Sequence, residues 1–278
     1  MKICVSAEST VDLSKELLKK YNIHTTPFGI NFNDQLVEDG EGVAEEIFAF
    51  VEKSKVLPKT SAVSPEQYEN YFTELKKDYD AIIHITLSSH MSCAYNNACL
   101  IARQMENVYV IDSKNLSTGI ALLAIYASSL VKKGLSAEEI NSMVNARVDK
   151  VKSSFVLDQL KYMYKGGRCN AVTLLGANLL KIKPEIVVVN GKLQVGKKYR
   201  GPLTKVMASY VNDIVANIGD ADKSIVFVTH STEMPEEEKL VEEGLKAAGF
   251  EVVYNTFAGG AICSHCGPGC LGILYMDK

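Results

Sequence analysis

The sequence AIIHITLSSHMSCAYNNA contains a hydroxyl-rich turn whose side chains could bind a ligand. An apolar strand leads through Ser88, Ser89 and Ser92 into a helical segment. The first turn of a helix has unpaired N–H groups and partial positive charge, so this pattern predicts an anion site. Because no Lys or Arg lies between Lys77 and Arg103, we expect a weakly charged anion such as a carboxylate. The alternative is that the serines only cap the helix.

Hydroxyl side chains also occur at or near the ends of the other predicted strands. They lie in loops at residues 6–10, 60–61 and 112–117, in addition to 88–92. In a parallel sheet the carboxyl ends of the strands meet at one edge, where ligands bind. We therefore expect the four loops to converge on one crevice.

Thr60 and Ser61 precede a helix that has a strong start signal of its own. Ser64 is a good N-cap residue, and Gln67 completes a capping box with it. Capping accounts for Ser64 but not for Thr60 and Ser61. Those two hydroxyls are left for a ligand or a turn.

The tail loop CSHCGPGC places three thiols and an imidazole within eight residues. Cys263, His265, Cys266 and Cys270 suggest a zinc site or a redox module. Structural zinc usually takes two ligand pairs from separate segments, and the sequence offers no second pair. The favoured interpretation is a tight turn in which glycines allow positive φ and His265 projects into a cleft.

Signals for catalysis and for nucleotide binding are missing from the sequence. No G-x-S-x-G elbow follows a strand, and no Walker or G-x-G-x-x-G motif is present. The basic turn KGGR, residues 165–168, is better explained as a helix C-cap followed by an exposed Arg168. These absences favour a protein that holds a ligand over one that transforms it. The competing class is an acyl hydrolase or transferase that uses a serine near His265.

Composition limits the class of protein further. The chain has 278 residues, 47% of them hydrophobic, which suits a globular protein of two domains. A net charge of −3 and a pI near 6.0 argue against a nucleic-acid partner. The N-terminus has too short an apolar run for a signal peptide or an integral membrane segment. Seven cysteines without small-scaffold density predict unpaired thiols in a reducing cytoplasm.

The order of predicted elements indicates a mixed α/β fold. A helix over 11–21, a strand over 24–32 and a helix from 136 to about 153 belong to a region of alternating strands and helices, which predicts a parallel sheet. A hairpin at Asn190-Gly191 then indicates antiparallel pairing. We expect an N-terminal α/β domain over 1–155, with the hydroxyl loops, and a C-terminal α/β domain with antiparallel strands over 156–278.

Motifs spread along the whole chain resemble the DegV family of bacterial fatty-acid-binding proteins. In order they are EST-x-DL, TPF-x-I-x-F, KTS-x-x-SP, SS-x-x-S-x-x-Y, VIDS-x-x-x-STG, KGGR, K-x-KP, NGKL followed by K-x-R, HS and H-x-GPG-x-LG. Each motif alone is weak, but ten in the family's order are specific. The resemblance implies one long-chain fatty acid enclosed between or beneath the two domains.

The resemblance also implies roles for particular residues. Thr60 and Ser92 would hold the carboxylate, and Ser61 and His265 would lie near it. Arg168 and Arg200 would meet a partner or line the pocket mouth. The protein would have no catalytic residue, metal or cofactor, and would present the fatty acid to an ATP-using fatty acid kinase subunit that forms an acyl phosphate.

The sequence departs from the family pattern near the expected head group. Glu8 replaces a common Asp, Ala62-Val63 replaces Gln-Pro, and Cys93-Ala94 replaces Gly-Thr. The last change removes one possible hydroxyl donor, while Thr60 and Ser92 remain.

Two apolar segments are candidates for the wall of an acyl tunnel. They are residues 120–126 and 172–180, and ordinary helix core is the alternative for both. A chain of about sixteen carbons contributes on the order of 10 kcal/mol once enclosed. Its carboxylate, without a Lys or Arg partner, would need hydroxyl donors, helix N–H groups and His265, or would bind as the neutral acid.

Overall fold

The computed structural model describes residues 1–169 and 182–278. Within these residues the strands are β1 Ile3–Glu8, β2 Ile23–Thr26, β3 Gly29–Phe32, β4 Gln35–Glu38, β5 Lys59–Ser61, β6 Ala81–Thr86, β7 Val108–Asp112, β8 Val151–Val156, β9 Lys183–Val189, β10 Lys192–Tyr199, β11 Ala221–His230, β12 Val252–Phe257 and β13 Leu271–Asp277. The helices are α1 Lys15–Tyr21, α2 Val43–Ser54, α3 Pro65–Leu75, α4 Ala94–Ala102, α5 Thr118–Lys132, α6 Ala137–Arg147, α7 Lys161–Gly166, α8 Leu203–Ala216, α9 Pro235–Ala247 and α10 Gly260–Cys266. The fold is mixed α/β, as predicted.

A four-stranded sheet in the order β2-β1-β6-β7 forms the centre of the N-terminal half. Its three pairings are all parallel, so the carboxyl ends of its strands lie at one edge. Every residue of β1 and β6 is buried, as expected for inner strands covered on both faces. The predicted parallel sheet is confirmed, and its carboxyl edge carries three of the hydroxyl loops.

The predicted strand over 24–32 is wrong, because β2 and β3 belong to different sheets. β3 lies in the middle of a three-stranded antiparallel sheet, β4-β3-β5. The break falls at Pro27, which has no N–H to donate to a sheet. The chain therefore leaves the parallel sheet there, and the small sheet brings β5, with Thr60 and Ser61, to the same region.

Two predicted helices are shorter than the periodicity suggested. Residues 9–11 form a 3-10 turn, and α1 begins only at Lys15, where the Ser14 side chain accepts the Leu17 N–H at 3.3 Å. The helix expected to run from 136 to 153 ends at Arg147 and is followed by strand β8. By contrast, the capping boxes at Ser64 and Ser136 are both confirmed.

The C-terminal half is built on a six-stranded sheet in the order β10-β9-β8-β13-β11-β12. β11 and β12 pair in parallel and the other four pairings are antiparallel. The predicted hairpin is confirmed, with φ of 50° at Asn190 and 78° at Gly191. Strand β8 spans the expected domain boundary at 155/156 and lies inside this sheet, and that division of the chain stays a prediction.

Helix α5 connects the two larger sheets. It packs against β1 and β6 of the parallel sheet and against β8 and β13 of the six-stranded sheet. One hydrophobic core accordingly includes buried residues of both sheets, and a second lies between the six-stranded sheet and helices α8 and α9. The first core surrounds the space that the site occupies.

Candidate ligand-binding site

A cavity of about 440 Å³ lies between the carboxyl edge of the parallel sheet and the six-stranded sheet. Residues from all four predicted hydroxyl loops line it, including Thr10, Thr60, Ser92 and Ser117. Strands β8, β11 and β13 and helix α10 supply the opposite wall. The expected convergence of the four loops on one crevice is therefore confirmed.

Two cavity-lining hydroxyls have hydrogens available for a ligand. Ser61 makes no side-chain hydrogen bond to any described residue, and its exposed position places it at the opening of the cavity. Gly29 is the partner of Ser61 in the β3–β5 pairing, and a Cβ on Gly29 would lie 2.6 Å from Ser61 Oγ. A larger residue at Gly29 would therefore displace the Ser61 hydroxyl. Ser92 Oγ accepts the Ala94 N–H at 3.2 Å and retains its own hydrogen.

His265 on α10 orients the third hydroxyl, that of Thr60. His265 Nε2 and Thr60 Oγ1 are 3.0 Å apart, while His265 Nδ1 is buried without a hydrogen-bond partner among the described residues. Burial, with a smaller contribution from the Arg168 charge, lowers the pKa of His265 to about 4, so the ring is neutral near pH 7. A buried N–H without an acceptor is costly, which assigns the hydrogen to Nε2. Nε2 then donates to Thr60, whose own hydrogen is free to point at a ligand.

The turn after α7 fits closely around His265. A Cβ on Gly166 would lie 2.5 Å from His265 Nδ1, so only glycine fits there without displacement. Gly167 caps α7 with φ of 68°, which confirms the predicted C-cap. Arg168 then donates from Nη1 to the Gly166 carbonyl oxygen at 2.8 Å and lines the cavity.

The remaining cavity-lining hydroxyls are largely committed to other groups of the protein. Ser117 Oγ donates to Asp12 Oδ2 at 2.5 Å, and Thr229 Oγ1 lies 2.7 Å from Thr118 Oγ1. Ser231 Oγ accepts the Cys270 N–H at 3.0 Å and, like Ser92, retains its own hydrogen. Around them the wall is apolar, with Phe155, Met163, Leu116, Leu193, Ile262 and Leu274. The cavity thus combines an apolar wall with one group of available hydroxyls.

The model of the DegV family, described as an uncharacterised protein family, matches residues 2–278. The chain belongs to the DegV family. A DegV domain-containing protein of Caldanaerobacter subterraneus is 30% identical, and the match covers 100% of this chain and 99% of that protein. DegV of Bacillus subtilis, described as a fatty acid binding protein, is 27% identical with a TM-score of 0.85, and both chains are covered completely at 100%. A Thermus thermophilus DegV family protein, described by its fatty acid binding, has the same fold, with a TM-score of 0.92 at 23% identity and 100% coverage of both chains.

Two expected features of this DegV family chain lie elsewhere in the structure. Residues 120–126 of α5 do not line the described cavity, because the helix is buried in the core between the sheets. Arg200 is exposed at the end of β10 and does not line the cavity either. The other expected tunnel segment, residues 172–180, lies outside the described residues.

Ser88, expected as a ligand donor, is committed to the protein itself. Its Oγ donates to the Gly191 carbonyl oxygen at 2.8 Å, which ties the loop to the β9–β10 hairpin. The helix that follows, α4, has Cys93 at its N-cap without a side-chain cap, and Ser92 Oγ accepts the N–H of its first residue, Ala94, so the capping alternative holds for Ser92 and not for Ser88. Of the three serines in this loop, only Ser92 lines the cavity.

Arg168 changes the expected electrostatics of the site. Among the described residues that line the cavity it is the only Arg, Lys, Asp or Glu. Arg168 is exposed and lines the cavity, in line with its expected place at the pocket mouth. A carboxylate in the cavity would therefore have one basic side chain at the cavity wall, which the spacing of Lys and Arg around residues 88–92 did not indicate, since Arg168 is distant along the chain from Thr60 and Ser92.

Two buried aspartates that sequence reasoning missed hold α10 in place. Asp12 Oδ1 accepts the Gly259 N–H at 2.9 Å, directly before the helix. Asp39 Oδ2 accepts the Ser9 hydroxyl at 2.7 Å, and a Cβ on Gly260 would lie 2.8 Å from Asp39 Oδ1. Burial raises the pKa of both carboxyl groups. Their position in the motif EST-x-DL and in VEDG was the available signal.

Metal binding and membrane insertion find no support in the described part of the chain. No group of three His, Cys, Asp or Glu side chains there is arranged to hold a metal ion. No helix in those residues is long and apolar enough to cross a bilayer.

Proposed function

We propose that this protein binds one long-chain fatty acid in the cavity and presents its carboxylate to an ATP-using kinase partner, which forms the acyl phosphate. The observation that carries the proposal is the contrast within one cavity. Hydroxyl hydrogens are available at Thr60, Ser61 and Ser92, as well as at Ser231, whereas most of the rest of the wall is apolar.

The hydroxyls of Thr60, Ser61 and Ser92 together suit a carboxylate ligand. A carboxylate accepts hydrogen bonds at both oxygens, and bonds to a charged group stabilise by about 1.5–3 kcal/mol each. Thr60 is oriented for donation by the neutral His265. Arg168 adds a positive charge at the cavity wall, which favours the ionised acid over the neutral one.

The cavity volume and wall suit an acyl chain. Pockets for ligands of this kind typically measure about 300–1,000 Å³, and 440 Å³ lies within that range. Each methylene that leaves water contributes about 0.8 kcal/mol. The solved DegV proteins described as fatty acid binding share this fold over the whole chain, which supports the same ligand class here.

The position of these hydroxyls near the protein surface supports presentation of the carboxylate to a partner. Ser61, Cys93 and Arg168 line the cavity and are exposed, so a carboxylate beside them would lie near the protein surface. A kinase that docks there can reach the carboxylate while the acyl chain stays enclosed. Arg200, exposed at the end of β10, remains a proposed contact for that partner.

A hydrolase or transferase receives less support. No histidine in the described residues hydrogen-bonds Ser61 or Ser92, and His265 bonds Thr60 instead. A serine, a histidine and an acid do meet at Ser6, His84 and Glu8, with Ser6 Oγ 2.8 Å from His84 Nδ1. All three are fully buried and none lines the cavity, so they form a core network without access to substrate.

The test compares the wild-type protein with the double variant Thr60→Ala, Ser92→Ala. We expect mass spectrometry of solvent extracts to find a long-chain fatty acid in the wild-type protein. We expect the double variant to bind added fatty acid at least about tenfold more weakly in calorimetry, because it loses two donors. ATP-dependent acyl phosphate should form only when a kinase partner is added.

Ser89→Ala is the matched control, since Ser89 lies in the same loop but does not line the cavity. It should bind fatty acid as the wild type does. The absence of fatty acid from extracts, together with no binding of added acid, would overturn the proposal. Equal affinity of the double variant would place the carboxylate elsewhere.

A further inference from the structure

The three cysteines of the tail loop form a buried cluster beside the cavity. Cys263 and Cys266 are three residues apart on α10, and Cys270 directly precedes β13. They are 0%, 3% and 6% exposed, respectively. The thiol of Cys266 is hydrogen-bonded to those of both Cys263 and Cys270. Cys266 is therefore the central member of the cluster, and Cys266 and Cys270 both lie in the cavity wall.

The central cysteine of the cluster is the best nucleophile of the three. Hydrogen bonds from the thiols of Cys263 and Cys270 hold the pKa of Cys266 well below its usual range. The hydrogen bond to Cys266 and burial raise the pKa of Cys270. Because a thiolate, and not a thiol, attacks an oxidant, Cys266 reacts first.

Access distinguishes the two neighbours of Cys266. Cys266 and Cys270 line the cavity, so a molecule that enters through the opening reaches both. Cys263 does not line the cavity, and its Sγ donates to the Ala258 carbonyl oxygen at 3.2 Å. Cys270 is thus the neighbour that is placed to react with an oxidised Cys266.

We propose that Cys266 and Cys270 form a dithiol pair that hydrogen peroxide oxidises to a disulfide in the cavity wall. The Cys266 thiolate attacks one peroxide oxygen, the O–O bond breaks, and the leaving oxygen departs as water after protonation. The resulting sulfenic acid is then attacked by Cys270 sulfur, which expels a second water and forms the S–S bond. Two thiols and one hydrogen peroxide give one disulfide and two waters, and the peroxide accepts both electrons.

Closing this disulfide changes the site. The two sulfurs, which are hydrogen-bonded in the reduced protein, must approach to about 2.05 Å. The Gly267-Pro268-Gly269 turn between them has little room to adjust, because a Cβ on Gly267 would lie 2.5 Å from the Tyr162 ring. The strain is therefore expected to reach α10 and its neighbour His265, and to lower affinity for a fatty acid.

The experiment treats the reduced, full-length protein with one equivalent of hydrogen peroxide and then counts thiols after denaturation. We expect the loss of two of the seven cysteine thiols per chain. The peptide that contains Cys266 and Cys270 should lose about 2 Da, the mass of two hydrogen atoms, and dithiothreitol should reverse the loss. A Cys263–Cys266 disulfide, or no disulfide while all seven thiols persist, would overturn the proposal.

Single cysteine variants test whether the disulfide requires Cys266 and Cys270 and not the other cysteines. Cys266→Ala and, independently, Cys270→Ala should abolish the disulfide, so one folded variant of the two is sufficient. Cys93→Ala should form it as the wild type does, since Cys93 lines the same cavity and is more exposed, but has no hydrogen bond to another cysteine in the described part of the chain. Equal disulfide formation in the Cys270→Ala variant would contradict the pairing.

A second readout is the affinity of the oxidised protein for a fatty acid, which we expect to fall at least about fivefold and to recover on reduction. This readout rests on the proposed function, whereas the disulfide readout does not. Disulfide formation in a protein that binds no fatty acid would therefore reject the proposed function alone. An unchanged affinity of the oxidised protein would reject the effect of the disulfide on the site.

Discussion

A single contact, between Thr60 and His265, leaves the hydroxyl hydrogen of Thr60 available to a ligand. It depends on a neutral imidazole whose Nδ1 faces Gly166 and has no hydrogen-bond partner within residues 1–169 and 182–278. The basic turn KGGR was explained from the sequence as a helix end, and that explanation is confirmed for Gly167. The first glycine of this turn, Gly166, has a different role, because the absence of a side chain there leaves space for the His265 ring.

Gly166→Ala should weaken fatty-acid binding with little effect on stability. Alanine is favoured over glycine in a helix by about 0.5–1 kcal/mol, and Gly166 ends α7 without a positive φ. Its Cβ would displace His265 and weaken the bond that orients Thr60. We expect affinity to fall at least about tenfold in calorimetry while the urea midpoint changes little. Gly40→Ala, with nothing within 4 Å, is the control, and wild-type affinity in Gly166→Ala would exclude this role of His265.

At the scale of elements, the β9–β10 hairpin closes over the loop that carries Ser92. The Asn190-Gly191 turn was predicted from the sequence, but its docking was not. Ser88 Oγ donates to the Gly191 carbonyl oxygen, and a Cβ on Gly191 would lie 2.9 Å from His90 Cδ2. Leu193, two residues further on, lines the cavity. The hairpin therefore connects the six-stranded sheet to the carboxylate-binding loop.

Gly191→Ala should destabilise the protein more than Gly134→Ala does. Both glycines have positive φ, 78° and 79°, so both variants lose about 1 kcal/mol from backbone strain. Only at Gly191 would the new Cβ meet other residues, with Ser88 Oγ at 2.7 Å, whereas Gly134 has nothing within 4 Å. We expect an additional loss of about 1–2 kcal/mol in urea unfolding. Equal losses in the two variants would show that the hairpin docks without close packing.

For the whole molecule, the shared core is the important feature. The core that includes both larger sheets also surrounds the cavity, and α5 packs against strands on each side. A ligand in the cavity contacts both sheets at once. We therefore expect the two halves of the chain to unfold together, even though the sequence predicts two domains.

Thermal unfolding tests whether the two halves of the chain unfold together. Delipidated protein should unfold in one calorimetric transition, and fatty acid at 100 times its Kd should add about 2.7 kcal/mol of stability. For a chain of 278 residues that corresponds to a rise of roughly 5 °C in Tm. Two transitions, of which fatty acid shifts only one, would contradict a shared core.

Local patterns explain what was predictable from the sequence. Capping boxes at Ser64 and Ser136 and the hairpin at Asn190-Gly191 depend on residues within a few positions of one another. The convergence of three of the hydroxyl loops followed from parallel strands, whose ends share an edge, whereas β5 of the antiparallel sheet brings residues 60–61 to the same cavity. Periodicity failed at Pro27, where one missing N–H sent the chain into another sheet.

The sequence by itself therefore determined the element types, the hydroxyl loops and membership of the DegV family. The tertiary structure decided which hydroxyls a ligand can use, because the protein groups that hydrogen-bond these hydroxyls are distant along the chain. Ser88 is committed to a carbonyl 103 residues away, while Thr60 receives its orientation from an imidazole 205 residues away. Hydrogen bonds at such separations depend on how the sheets pack, and a local pattern carries no information about that packing.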